Sequence, residues 1–335
     1  MCAVIPAQTL YRTKKYQEVS NMHRRRIDGH VHLIPKREPG WIDPITQYRH
    51  DAYGMLRTPL GDRRRLPPYM ADSAFEAGTL MEVMEEYGVE KAVLMARLES
   101  GVPEAALDAV KRYPGRIAGA VCVEIRREGE AQLQEWHSRG IGIVKFEMRG
   151  LNELYGKLEI CDPAMMRLFG KAEELGMIVV IDPGPVAFPS YSPEQISTVL
   201  HTYPALKLVI CHMGLPFYGL REHAGLYEKW RAMIGLGSCS RVWFDVTAMP
   251  DLFEEEGYPY SEALTYFKEL LDICGPDRVI WGTDIPGTFR RATYSQMIEV
   301  FERCDFLDGQ DKDKLFYENA NQLYFNGENE SEFTR

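Results

Sequence analysis

From residue 27 onward the chain alternates between short apolar runs and longer amphipathic stretches. Runs rich in Val and Ile span Arg26–Leu33, Lys91–Ala96, Arg116–Ile125, Gly142–Met148, Met177–Asp182, Leu206–His212, Arg241–Thr247 and Arg278–Thr283. Continuous apolar runs of this length fit parallel strands covered on both faces. The stretches between them carry helix punctuation. Thr79–Tyr87 stops at Gly88, and Asp162-Pro163 supplies an N-cap and first-turn proline for a helix running to Gly176. Ser192-Pro193-Glu194 opens another in the same way, and Ser261–Cys274 ends at Gly275-Pro276. Eight strands alternating with helices predict an α/β chain folded as a (β/α)₈ TIM barrel rather than an open doubly wound sheet. No G-x-G-x-x-G follows the first strand, which removes the signature of a dinucleotide fold.

Two stretches fall outside the repeat. Residues 1–25 form an N-terminal extension to a single barrel domain at 26–335, and residues 34–78 form a long excursion rich in Pro, Gly, Arg and Tyr. In a barrel the excursion is the first βα loop, at the catalytic mouth, where Trp41, Tyr48, Tyr53 and Tyr69 are available to wall a pocket. Lys312–Phe325 reads as a last amphipathic helix before a polar tail.

Composition narrows the function classes. Apolar residues at 45% support a large core, and 26% charged residues argue against a disordered or membrane chain. Nothing approaches the roughly 18 apolar residues of a membrane span, and residues 1–26 lack the apolar core of a signal peptide. A net charge of −10 argues against a nucleic-acid surface, and the basic runs Arg24–Arg26 and Arg63–Arg65 are short. Seven cysteines, an odd number with no C-x-x-C, point to free thiols in a reducing compartment. The expectation is a cytoplasmic protein whose partner is a small molecule, with a homodimer as the default assembly.

Active sites of such barrels form at the C-terminal ends of the strands. The first run ends in His30-Val31-His32, and residues two apart share a strand face, so both imidazoles can address one cation. His212 ends the sixth run, Asp245-Val246-Thr247 the seventh and Asp284 follows the eighth; closure brings these distant positions together. Arg97, Arg126 and Arg149 fall near strand ends, with Lys145 on the fourth run and Arg63–Arg65 in the long loop. Guanidinium forks bind carboxylates bidentately, so the set suits a carboxylated substrate. Salt bridges to Glu99, Glu124 or Glu147 would explain the same residues.

The chain also resembles the amidohydrolase-related branch of the amidohydrolase superfamily, which contains lactonases and non-oxidative decarboxylases. IDGHVH (27–32), KFEMRG (145–150), AEELGMIVVID (172–182), VICHMG (209–214), VIWGTDIPG (279–287) and YENANQLYF (317–325) carry the resemblance. It implies metal contacts at His30, His32 and Asp284, activation of water or substrate by His212, and proton transfer by Asp284. One divalent metal, zinc or manganese, is then expected, and no organic cofactor. The fifth run departs from the pattern, ending in Asp182 where metal-dependent members usually place a histidine. Asp182 is either a ligand or a structural carboxylate, and a metal-free mechanism, known among the lactonases, is the alternative. The activity expected first is hydrolysis of a carboxylated cyclic ester, with Asp284 and His212 activating water. Decarboxylation of an aromatic or unsaturated acid comes second, and a binding barrel without turnover third.

Overall fold

The computed structural model describes residues 24–325 apart from Leu60. All but the last two residues of the N-terminal extension, and the polar tail beyond 325, therefore lie outside the described residues.

Eight parallel strands form one sheet in sequential order: β1 (Ile27–Val31), β2 (Lys91–Leu94), β3 (Ile117–Val121), β4 (Ile143–Glu147), β5 (Ile178–Asp182), β6 (Lys207–Ile210), β7 (Val242–Val246) and β8 (Val279–Trp281). Each lies inside the apolar run expected for it. The predicted punctuation also holds. The Asp162 carboxylate accepts the Ala164 N–H at 2.9 Å, and Gly88 ends helix α1 (Ala77–Tyr87) with a left-handed φ of 64°.

The sheet curls until β1 meets β8. At this seam the Asp284 N–H donates to the His30 carbonyl and the His32 N–H to the Ile285 carbonyl, both at 2.8 Å. Asp28, fully buried, staples the seam from within. Its carboxylate accepts the Thr283 N–H at 2.9 Å, the Thr283 hydroxyl at 2.5 Å and the Tyr294 hydroxyl at 2.8 Å. Burial outweighs these bonds and raises the Asp28 carboxyl to about 7. Close approach of the strands requires glycine. A Cβ on Gly282 would sit 2.8 Å from the His30 backbone nitrogen, and one on Gly29 2.4 Å from Ile280 Cγ2.

Two cores result. Helices pack on the outside of the sheet, while Val93, Met95, Ile143, Val180, Val209 and Ile280 fill the barrel interior. The predicted last helix is helical from Gly309 to Tyr324, with a π-helical turn at Lys314–Glu318. Tyr317, Leu323, Tyr324 and Phe325 from this segment close the interior at the N-terminal ends of the strands. Asn319 fixes it there by donating to the Val279 carbonyl at 2.8 Å.

The excursion after β1 is more ordered than a loop. Trp41–Ile42, Arg49–His50, Met55–Thr58 and Gly61–Arg64 form a four-stranded antiparallel meander. Strands of two to four residues are too short to print an alternating pattern, so only their turn residues were visible. Among the described residues no helix is long and apolar enough to cross a membrane.

The seam analysis yields a paired prediction. Gly282→Ala should destabilise the protein by about 3 kcal/mol through backbone overpacking. Gly78→Ala, in open space on α1, should stabilise it by about 0.5–1 kcal/mol. Urea unfolding of the two variants checks this, and an unchanged Gly282→Ala midpoint would contradict the seam.

Candidate active site

A one-residue irregularity in β1 aims the site. Asp28 pairs with Ala92, but Val31 pairs with Leu94, so β1 carries one residue more than β2 over this stretch. Ile27 accordingly packs inside the barrel and Val31 outside it, which leaves His30 and His32 facing inward. Their rings lie 5.1 Å apart, and His212 lies 4.9 Å from His30.

Each imidazole is oriented through Nδ1. His30 Nδ1 meets Asp245 Oδ2 at 2.9 Å, His32 Nδ1 meets the Met95 carbonyl at 2.8 Å, and His212 Nδ1 meets Thr247 Oγ1 at 2.5 Å. The first two partners are acceptors, so both rings carry the proton on Nδ1 and present an Nε2 lone pair to the site. Thr247 in turn donates to Asp245 Oδ1 at 2.6 Å, so its oxygen is free to accept from His212. Burial and the neighbouring Lys145 ammonium push the His30 imidazole down to about 4. Burial, Arg97 and Lys145 hold His32 well below its ordinary value.

Asp284 stands opposite, on a left-handed residue with φ of 58°. Its Oδ1 is 2.9 Å from His32 Nε2 and 3.9 Å from His30 Nε2. The Asp284 carboxyl is held well below the usual range: burial opposes its ionisation, and the imidazoles of His32, His30 and His212, whenever one of them takes up a proton, outweigh it. His32 Nε2 and Asp284 Oδ1 are thus two acceptors face to face, and Asp284 Oδ1 is a buried oxygen with no hydrogen-bond partner. Donor atoms of His30, His32 and Asp284 all lie within 4.8 Å of one another. Two imidazole nitrogens and one orphaned carboxylate oxygen fit a divalent cation. Lys145 Nζ, 3.2 Å from His30 Nε2, donates into the same lone pair and would have to turn away to admit one.

Asp182 stands apart from this trio. Its Oδ1 accepts the Gly184 N–H at 2.9 Å, and its Oδ2 lies 3.8 Å from His212 Nε2. Burial raises its carboxyl, with His212 pulling the other way.

Above the site opens a cavity of about 400 Å³. Arg97, Arg149 and Asp284 line it, together with Arg63–Arg65 and Tyr48 from the meander. Arg149 pairs with Glu153 at 3.2 Å, whereas Arg97 makes no hydrogen bond among the described residues and its Nε is a buried orphan. Arg126 is not brought to the mouth. The chain turns outward after β3, because the Glu124 carboxylate gathers the backbone N–H groups of Arg126, Arg127 and Glu128. Arg126 is exposed there and donates to the Tyr155 carbonyl at 2.8 Å.

Asp245 is the residue whose role the sequence reading missed. Fully buried, it holds the His30 ring through Oδ2 and accepts the His212 backbone N–H at 2.6 Å through Oδ1. Burial alone would raise its carboxyl, but His30 and its other donors depress it. The only available signal was its place in Asp245-Val246-Thr247 at a strand end.

Comparison with known proteins places the chain in a family. The amidohydrolase family model matches residues 27–325. A 2-pyrone-4,6-dicarboxylate hydrolase of Comamonas testosteroni is 26% identical over 285 residues, covering 75% of this chain and 84% of its own. A 4-sulfomuconolactone hydrolase of Rhizobium radiobacter is 24% identical over 232 residues, covering 68% and 70%. Among solved structures, a Burkholderia multivorans amidohydrolase with bound zinc superposes with a TM-score of 0.65. It is 17% identical, and the match covers 90% of this chain and 99% of that one. The family match runs from the first strand of the barrel to the segment that closes its base, and the chain is an enzyme of the amidohydrolase family.

Proposed function

We propose that the chain hydrolyses a small carboxylated lactone, with Asp284 as the base. The observation that carries this reading is the orphaned Asp284 oxygen, facing a cavity in which Arg97 Nε is also a buried orphan and its guanidinium finds no hydrogen-bond acceptor among the described residues. The two hydrolase relatives are named for a pyrone dicarboxylate and a sulfonated muconolactone, both anionic lactones.

In this reading Arg97 takes the substrate carboxylate and turns the ester carbonyl toward the three histidines. Asp284, ionised at neutral pH, removes a proton from water, and the oxygen adds to the carbonyl carbon. His212 Nε2 orients that water, and the Lys145 ammonium faces the charge that develops on the carbonyl oxygen. The ring C–O bond then breaks, and the departing oxygen takes the proton held by Asp284. The product is the ring-opened acid.

His30, His32 and Asp284 would hold a zinc or manganese ion, which when bound supplies Lewis-acid polarisation of the carbonyl. Asp182, with one oxygen occupied by Gly184, acts in our reading as a neighbour of His212 rather than as a ligand.

Two outcomes follow. Asp284→Asn should lower lactone turnover by roughly 10²–10⁴-fold, read by acid release; unchanged turnover, or CO₂ from a carboxylated phenol in place of ring opening, would overturn the assignment. After incubation with zinc or manganese, elemental mass spectrometry should find the metal on wild-type protein and on Asp182→Ala, but not on His32→Ala. Loss in Asp182→Ala would make that residue a ligand.

A further inference from the structure

The three residues of Arg63-Arg64-Arg65 have different surroundings. Arg65 turns into the protein, where one terminal nitrogen meets both Glu99 oxygens at 2.7 and 2.6 Å. The Arg64 guanidinium donates to the Tyr53 carbonyl. Arg63 pairs in register with Leu56, and both line the cavity. The pair beside it, Arg57 and Asp62, faces the other way and closes an exposed salt bridge at 2.7 Å. Arg63 makes no hydrogen bond or ion pair among the described residues. Its guanidinium carbon lies 5.5 Å from the centroid of the Tyr48 ring.

The meander is clamped to the segment that carries Arg97. Asp43 accepts the Ser100 N–H at 2.8 Å, and Arg65 holds Glu99, so residues 99 and 100 fix it just beyond Arg97. Pairs within the cavity wall account for other charges: Arg149 with Glu153 at 3.2 Å, and Arg290 with Asp251 at 2.6 Å. Arg63 and Arg97 both pull the Glu147 carboxyl down from its ordinary value, against its burial, yet neither forms an ion pair with it. Two guanidiniums, one beside Asp284 and one on the rim, thus sit on segments clamped to each other, and neither has a hydrogen-bond acceptor among the described residues.

We propose that the meander is a selectivity element for a second anionic group. Arg63 binds that group at the rim, and Arg97 binds the first one beside Asp284, so the site prefers small dianions over monoanions. This rests on reading the cavity as a site for an anionic small molecule, and it is tested by binding rather than by turnover.

The probes are benzene-1,3-dicarboxylate and benzoate, titrated calorimetrically at low salt. Wild-type protein should bind the diacid at least about tenfold more tightly, the size of one charge-assisted hydrogen bond. Arg63→Ala should bring the diacid to the affinity of benzoate and leave benzoate within about twofold; Arg63→Lys should keep part of the preference. Arg97→Ala should weaken both acids. Because Arg63 is exposed and makes no hydrogen bond or ion pair among the described residues, its variants should unfold at the wild-type midpoint. A diacid preference that survives Arg63→Ala, or binding of neither acid, overturns the proposal. An Arg63-dependent preference in a protein that opens no lactone would retire the hydrolase reading alone. Lactone opening with a KM unmoved by Arg63→Ala would retire this one alone.

Discussion

Out of contact with water, the Asp245 carboxylate can be satisfied only by donors that the barrel brings to it. It finds the His30 ring at 2.9 Å, the His212 backbone at 2.6 Å and the Thr247 hydroxyl at 2.6 Å. These bonds tie β1, β6 and β7 together at one buried point. They also decide which nitrogen of His30 carries its proton and, through Thr247, how the His212 ring is turned. An isolated buried charge would cost several kcal/mol, and here that penalty is offset by groups that the chemistry needs fixed. Removing Asp245 would release two imidazoles at once, which makes it a positioning residue for the whole cluster.

The same region is held in a rarely visited backbone conformation. His212, Met213 and Leu215 after β6 and Asp284 after β8 all have φ between 56° and 58°. Each non-glycine residue in that region costs about 1 kcal/mol or more. The strands beneath are locked by the inner core and the seam, so the strain falls on the strand ends. There His212 lies beside His30, and Asp284 faces His32 and His30.

How much of this could be read from the chain alone depended on whether a property is local. A strand covered on both faces needs an apolar run, so all eight strands were visible. His30 and His32 share a face by alternation, and His212 and Asp284 follow apolar runs in motifs familiar from the family. Asp245 was seen but not understood, because its meaning lies in His30, 215 residues away. Arg97 and Arg126 look alike in sequence, each following an apolar run. What separates them is the direction in which the chain leaves the strand, which Glu124 decides by collecting three backbone N–H groups. Asp182 ends the strand at which the resemblance leads one to expect a ligand, and only the geometry shows one of its oxygens spent on its own turn. The meander was hidden because its paired segments are too short to repeat a hydrophobic pattern.

The segment that plugs the base of the barrel also has a consequence for how the molecule is made. β1 leaves the ribosome well before its partner across the seam, β8, which begins 252 residues later, and Tyr317–Phe325 must then seal the interior beneath both. While the intervening strands are being translated, β1 offers an open edge and an uncovered apolar face. Contacts of such large sequence separation bear a loop-closure cost before they return any stability. The inner core therefore cannot be complete until residue 325 has been made, and a cut just before residue 317 would leave a barrel wall without a floor.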